Sequence, residues 1–273
     1  MRVVFQGERG AFSEEACHKF LGKNIELAPC ASFEEAFRRL ERGEADRGVL
    51  PMENSLAGSV HDNFDLLLRH HMVILAETQV RIVHNLLVPP GVTFAKIRRV
   101  FSHPVALNQC RAFFRRHPKI APVQFYDTAG SVKMLMEQRP EDAAAIAPAA
   151  AGGIYGAKIL MRGLEDDKAN FTRFFLLART RRGWKAERAV KTSIVFTTPN
   201  KPGALFKCLA VLALRDINLV KIESHPLHGK PWEYLFYVDF MGRPTDERCR
   251  NALRHLGELT DMLRVLGSYE VVK

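Results

Sequence analysis

A threonine and an arginine stand side by side at 172 and 173, inside the otherwise apolar run FTRFFLLA that spans 171–178. A guanidinium is costly to bury without a partner, so the pair implies a purpose for that strand. Other polar groups collect in similar places: GERGAFS at 7–13, PMENS at 51–55, SHPVALNQ at 102–109, Asp127–Thr128, and Asn170–Arg173. Most of them follow strand-like runs. In open α/β sheets, ligands bind beyond the carboxyl ends of the strands, so these segments are expected to converge on one cleft. Each also has a plainer reading. The glycine spacing of GERGAFS matches no phosphate loop and fits a turn. SHP suits a helix cap followed by proline in the first helical position. PMENS is harder to reduce to a cap, which needs only one polar residue. Hydroxyls, amides and one carboxylate suit binding, or an elimination in which the substrate supplies the driving force.

Other chemistries lack their signatures. There is no Ser-His-Asp order with a nucleophile elbow, no Walker loop and no Rossmann fingerprint. No metal constellation stands out, and the adjacent His70 and His71 fit a helix end, where a cation suits the dipole. The five cysteines are scattered without a CxxC pair, which fits a reducing cytosol and neither a zinc nor a redox site. The N-terminus lacks the apolar core of a signal peptide. The longest uncharged run, Ala143 to Ala157, falls short of the roughly 20 residues of a membrane helix. A cytoplasmic protein without membrane or nucleic-acid partners is expected. The formal charge of +10 is spread over many short Arg clusters that read as solvated faces. It still favours anionic substrates through long-range steering.

Two domains fit a chain of 273 residues. Up to about residue 180 the pattern is α/β. Strand-like runs fall at Val3–Phe5, Ile25–Ala28, Gly48–Leu50, Val73–Ala76, Val80–Val88, Val100–Ser102, Val123–Tyr126, Ala144–Ala147 and Phe171–Ala178, mostly separated by helical patterns. Ser32 with Glu35 makes a capping box, and Asp127 or Thr128 can cap the helix that follows. Residues 181–191 are charged, lack an apolar period and read as a linker. From 192 to 273 the order is βαββαβ, the ferredoxin-like plan. Its first helix is expected from Pro202, capped by Asn200.

These segments resemble those of prephenate dehydratases that carry a C-terminal ACT domain. VLPMENSLAGSV, SHPVALNQC and NFTRFFLLAR are similar to three segments of the catalytic domain, and NKPGALFKCLAVLALRDINLVKIESHP to the ACT domain, in the family's order. The resemblance implies a two-lobed catalytic domain (1–180) like a type II periplasmic binding protein, with the site between the lobes. It also implies an ACT regulatory domain (192–273), prephenate as substrate, phenylpyruvate as product, no cofactor and no metal. Prephenate becomes aromatic on losing CO2 and hydroxide, so the barrier lies in the poor leaving group. By resemblance, Thr172 donates to that hydroxyl as charge develops.

Neighbours on a regular strand face opposite ways. Either the strand bends, or Arg173 points away from the site and pairs with a carboxylate, for which Glu53 is one choice. The resemblance also gives Glu53 an organising role. It assigns Asn54, Ser55, Ser102, Gln109 and Thr128 to substrate carboxylates and hydroxyl; Phe174 is either core or substrate contact. In the ACT domain it implies allosteric control by L-phenylalanine, whose carboxylate would meet Gly203, Ala204 and Leu205 and whose ammonium would lie near Asn218, Glu223 and Ser224. His225 replaces the arginine usual there, so a fixed forked charge is missing. A homodimer or homotetramer is expected. Two rivals stand beside this reading: an arogenate dehydratase, and a non-catalytic amino-acid sensor on the same fold.

Overall fold

The computed structural model describes residues 1–182, 184, 190–227, 229–230 and 232–272. The core of the expected linker, 183 and 185–189, lies outside them. The chain divides into two compact units: Met1–His70 with Thr78–Phe175, and His71–Glu77 with Leu176–Lys273.

The first unit holds two sheets. In chain order the elements are β1 (Arg2–Gln6), α1 (Phe12–Leu21), β2 (Glu26–Cys30), α2 (Phe33–Glu41), β3 (Arg47–Asn54), β4 (Gly58–Ser59), α3 (His61–Arg69) and the later part of β5 (Val73–Arg81). A second lobe follows: β6 (Asn85–Val88), β7 (Arg99–Ser102), α4 (Pro104–Asn108), α5 (Arg111–Arg116), β8 (Ala121–Gln124), α6 (Thr128–Gln138), β9 (Ala143–Ala147), α7 (Ala149–Tyr155) and β10 (Lys158–Arg162). The chain then returns to the first lobe in β11 (Phe171–Ala178). The first sheet runs β2-β1-β3-β11-β5, and the second runs β10-β6-β9-β7-β8. This is the two-lobed α/β arrangement that the resemblance implied. The second lobe packs on two apolar layers, one around Val100, Phe113 and Ile146, the other around Val132, Leu135 and Ala145.

Two expectations change here. Val80–Val88 is not one strand. Ile82 N–H bonds to Asn170 O, after which the chain leaves the first sheet, and β6 begins only at Asn85. β10 was not anticipated; its residues are largely half-buried or exposed, so its apolar signal is weak. Capping follows the sequence more closely. Ser32 Oγ accepts from Glu35 N at 3.1 Å and Asp127 Oδ1 from Gly130 N at 2.7 Å. At α4 the cap is His103, with Pro104 first in the helix.

The second unit contains β12 (Lys191–Thr197), α8 (Ala204–Ala213), β13 (Leu219–Pro226), β14 (Tyr234–Met241), α9 (Glu247–Leu259) and β15 (Met262–Val272). Its sheet order is β13-β14-β12-β15, with 73–77 of β5 beside β15. The order β12-α8-β13-β14-α9-β15 is the expected βαββαβ plan, and β12 pairs antiparallel with β14 and β15, as β13 does with β14. The helices cover a core of Ile194, Phe196, Val211, Val238, Phe240 and Leu256. α8 begins later than expected. Gly203 takes φ 78°, a left-handed conformation outside the right-handed helix, so it caps α8 and leaves Pro202 in the preceding turn.

Candidate active site

A cleft of about 520 Å³ opens within the first unit. It gathers the ends of elements from both lobes: Ala11–Ser13, Asn54, Ala57–Asp62, His84, His103, Val105, Ala106, Gln109, Tyr126–Thr128, Thr172 and Phe174. Helices α1, α2, α3 and α6 have their first residues on its wall, as does the cap of α4. The first N–H groups of a helix lack intrahelical partners and attract anions. At α6 that place is already taken by Asp127. No lysine or arginine lines the cleft among the described residues.

Two glycines bring the loop of GERGAFS to this wall. Gly7 has φ 111°, and a Cβ there would lie 2.9 Å from Asp127 Oδ2. Gly10 has φ 84°, and its Cβ would meet Ala151 Cα at 2.7 Å. The loop's own charges cancel: the Arg9 guanidinium forks onto Glu14 at 2.9 and 3.0 Å, and Gly10 N adds a bond of 2.8 Å. Glu8 receives Tyr126 Oη–H at 3.0 Å and Lys133 Nζ at 3.2 Å, tying the first lobe to the second.

Thr172 sits in a cluster of neutral side chains whose polarity can be worked out. Asn54 Oδ1 accepts from two backbone groups, Leu56 N–H at 3.0 Å and Ala57 N–H at 2.9 Å. The amide orientation is therefore fixed. Asn54 Nδ2 then faces Asn170 Oδ1 at 2.8 Å, Thr172 Oγ1 at 3.0 Å and Phe171 O at 3.1 Å. An NH2 group cannot accept a hydrogen bond, so the Thr172 proton cannot point toward Asn54 and is left for the cleft. In the other direction, Gln109 Nε2 donates to Asn54 Oδ1 at 3.2 Å, and Gln109 Oε1 accepts from Asn170 Nδ2 at 2.9 Å. The same oxygen lies 2.9 Å from His84 Nε2, which must carry a proton. In the neutral ring Nδ1 is then a bare acceptor. It is buried without a hydrogen-bond partner. Burial accordingly pushes the His84 pKa down, against the opposing effects of Gln109 and Glu165.

Of the residues expected at the site, Thr172, Asn54, Gln109, Thr128 and Phe174 line the cleft. Arg173 does not. β11 keeps its alternation, so Arg173 and Phe175 share the face opposite Thr172. The Arg173 guanidinium lies 4.7 Å from the centre of the Phe175 ring and 3.5 Å from Glu53. Glu53 is likewise absent from the cleft lining. Ser55 and Ser102 also stay outside. Ser55 Oγ donates to Ala169 O at 2.8 Å and accepts from Phe171 N at 3.0 Å, stitching β3 to β11. Ser102 is fully buried and donates to Ile146 O at 2.6 Å. Both hydroxyls are committed to backbone groups, which makes them structural ties.

His84 and His103 are among the further polar residues of the cleft. His84 lay in an apolar run where a lone histidine gives no pattern. His103 lay inside the quoted SHP segment; its Nδ1 accepts from Val105 N at 3.3 Å, and burial lowers its pKa.

In the second unit the expected effector residues are split. Gly203–Leu205 stand at the start of α8. On β13 a bulge between Leu219 and Lys221 resets the register, so Lys221, Glu223 and His225 share one face and Ser224 takes the other. Glu223 is held by Lys221 Nζ at 2.8 Å and lies 3.3 Å from His225 Nε2.

Comparison with known proteins gives consistent relatives. The family model for prephenate dehydratase matches residues 3–182, and that for the ACT domain matches 192–258. A chloroplastic protein of Arabidopsis thaliana, arogenate dehydratase/prephenate dehydratase 2, is 47% identical over 280 residues, spanning 99% of this chain and 73% of its own. The solved prephenate dehydratase of Arthrobacter aurescens in complex with L-Phe superposes with a TM-score of 0.90 at 32% identity, covering 99% of this chain and 90% of that one. A structure described as GqqA, a novel type of quorum quenching acylase, superposes with a TM-score of 0.88 at 34% identity, covering 98% and 97%.

Proposed function

This chain belongs to the prephenate dehydratase family and carries an ACT domain, and from that premise we propose that it is a lyase converting prephenate to phenylpyruvate, CO2 and water. The observation that carries the reading is the orientation of Thr172. Its oxygen faces the Asn54 amide NH2 group, so its proton is free to meet a departing hydroxyl. The electron pair of the ring–carboxylate bond flows into the ring as CO2 leaves, and the far carbon–oxygen bond breaks. Thr172 O–H donates to that oxygen as negative charge grows on it. The Asn54 N–H on Thr172 Oγ1 makes the threonine proton more acidic at that moment. The substrate carboxylates take the first N–H groups of α1, donors that come from the backbone and not from a lysine or arginine.

Acyl transfer, the activity named for one structural neighbour, would need a nucleophile beside a base. Thr172 meets an amide in that place. A non-catalytic sensor would have no need of a hydroxyl aimed in this way. The ACT unit supports binding of L-phenylalanine, as in the Arthrobacter aurescens complex, with Gly203–Leu205 for its carboxylate and Glu223 for its ammonium. His225 stands within the charged group on β13 and shapes that site. Pairing of ACT units into a homodimer or homotetramer completes this reading, in a cytosolic enzyme. The five cysteines are free and buried, in keeping with a reducing compartment.

The test is direct. Purified protein is given prephenate and phenylpyruvate is followed, with and without L-phenylalanine. Formation of phenylpyruvate, altered by L-phenylalanine, is the expected result. Absence of product overturns prephenate as the substrate, and product formation with no phenylalanine binding overturns the regulatory reading.

A further inference from the structure

The wall of the cleft opposite the Thr172 chemistry has a charge that the elimination does not use. Asp127 lines the cleft and is 8% exposed. Its carboxylate is held by backbone N–H groups, those of Gly130, Glu8 and Ala129, and no lysine or arginine reaches it among the described residues. The Glu8 carboxylate lies close enough to add to the same negative potential. Burial, together with Glu8, raises the Asp127 pKa, the mark of an anion short of a counterion. Gly7 keeps one side of Asp127 clear, with Ala11 at the start of α1 next to it: a Cβ on Gly7 would lie 2.9 Å from Asp127 Oδ2 and 3.5 Å from Ala11 Cβ. An anion-attracting helix start and a buried carboxylate therefore adjoin on one wall. That pairing matches the carboxylate and ammonium of an α-amino acid, which share one carbon.

Prephenate and arogenate share the reacting ring and differ at the far end of the side chain. Prephenate has a keto oxygen there, an acceptor, and carries two negative charges. Arogenate has an ammonium, three donors and one positive charge. A keto oxygen facing Asp127 would set acceptor against acceptor in a poorly hydrated place. An ammonium there supplies the missing counterion. We propose that Asp127 is a specificity-determining residue: its carboxylate receives the ammonium of the substrate, and the cleft takes arogenate in preference to prephenate. The inference rests on the elimination reading above and names the form of substrate it uses.

The experiment is steady-state kinetics of the full-length protein and of Asp127→Asn on both substrates. Asparagine caps helices as well as aspartate does, so α6 is kept while the charge is removed; Asp127→Ser is the second capping variant. Wild type is expected to favour arogenate in kcat/KM by about tenfold or more, the size of a partly desolvated charge interaction. Asp127→Asn should lose that preference mainly through a higher KM for arogenate, with kcat/KM falling more on arogenate than on prephenate. Preference of wild type for prephenate overturns the proposal. So does an equal loss on both substrates in the two variants, which would make Asp127 a cap alone. Wild type inactive on both substrates overturns the elimination reading itself, and the specificity with it.

Discussion

The amide cluster around Thr172 and the polar face of the ACT sheet both hold side chains in fixed directions, by different physics. In the cleft, direction comes from neutral groups. Two backbone N–H donors orient Asn54, and every other polarity follows from it out to His84. On the ACT sheet, direction comes from charge. Lys221 and His225 close on Glu223, and Tyr269 Oη donates to Ser193, whose proton goes to Asp239. Neutral amides do not feel added salt, whereas charge pairs do. A reaction centre benefits from donors that stay put. A site that must release its ligand when concentration falls benefits from interactions that conditions can tune.

Four experiments bear on that contrast, from the largest effect to the smallest. Thr172→Val keeps the shape and removes the one proton the cluster delivers. Its kcat should fall by about 10²–10³ with little change in KM; near-normal turnover removes Thr172 from the chemistry. Asn54→Asp is the sharper probe. It keeps the acceptor for Leu56 and Ala57 but offers Thr172 an oxygen, so the threonine proton turns away from the cleft. A loss of kcat of about ten- to a hundredfold is expected. The double variant with Thr172→Val should be no worse than Thr172→Val alone, because both remove the same donor; additive losses would break the orientation argument.

The third experiment moves to the charged side. Glu223→Gln should weaken L-phenylalanine binding by about tenfold in calorimetry, and added salt should weaken binding to the wild type in the same direction. Salt-independent binding, unchanged in the variant, would show that the ACT sheet works as the cleft does. The smallest effect concerns His84, the titratable end of the neutral cluster. Its folded pKa lies below the ordinary 6.5, so between those values the unfolded chain binds more protons than the folded one. Stability must therefore fall as pH drops below about 6.5 and level off below the folded pKa. His84→Gln keeps a donor for Gln109 without a titrating ring, and its melting temperature should decline less over that acid range. Identical pH slopes for the two proteins would contradict a buried neutral His84.

Much of this was legible in the chain. Strand ends carrying polar clusters converge on one cleft, as the alternation of β11 and the order of motifs suggested. The same alternation separates Thr172 from Arg173, one of the two arrangements left open by the sequence. What stayed hidden depends on partners distant in sequence. Ser55 and Ser102 look like site hydroxyls until Ala169 O and Ile146 O are brought to them by other strands. The break after Ile82 depends on Asn170 O in the same way. His84 gave no signal because its role rests on Gln109, a contact no local pattern encodes. The late start of α8 was in principle readable, since a glycine preceding ALF can stop as well as start a helix.

The membership of 71–77 in the second unit bears on how the protein is made. A Cβ on Gly267 would lie 2.4 Å from Ile74 O, so β15 approaches that segment as closely as a bare glycine allows. Glu77 is buried there, and Lys191 reaches it at 2.8 Å. A ribosome delivers 71–77 long before Gly267. Until β15 emerges, the early segment has an unpaired edge and a carboxylate awaiting its lysine, the kind of exposed edge that recruits other chains. A gene cut once between the two units therefore cannot yield both whole. The ACT unit on its own would lack a strand segment made long before it, and swapping it for another ACT domain requires editing the chain in two places.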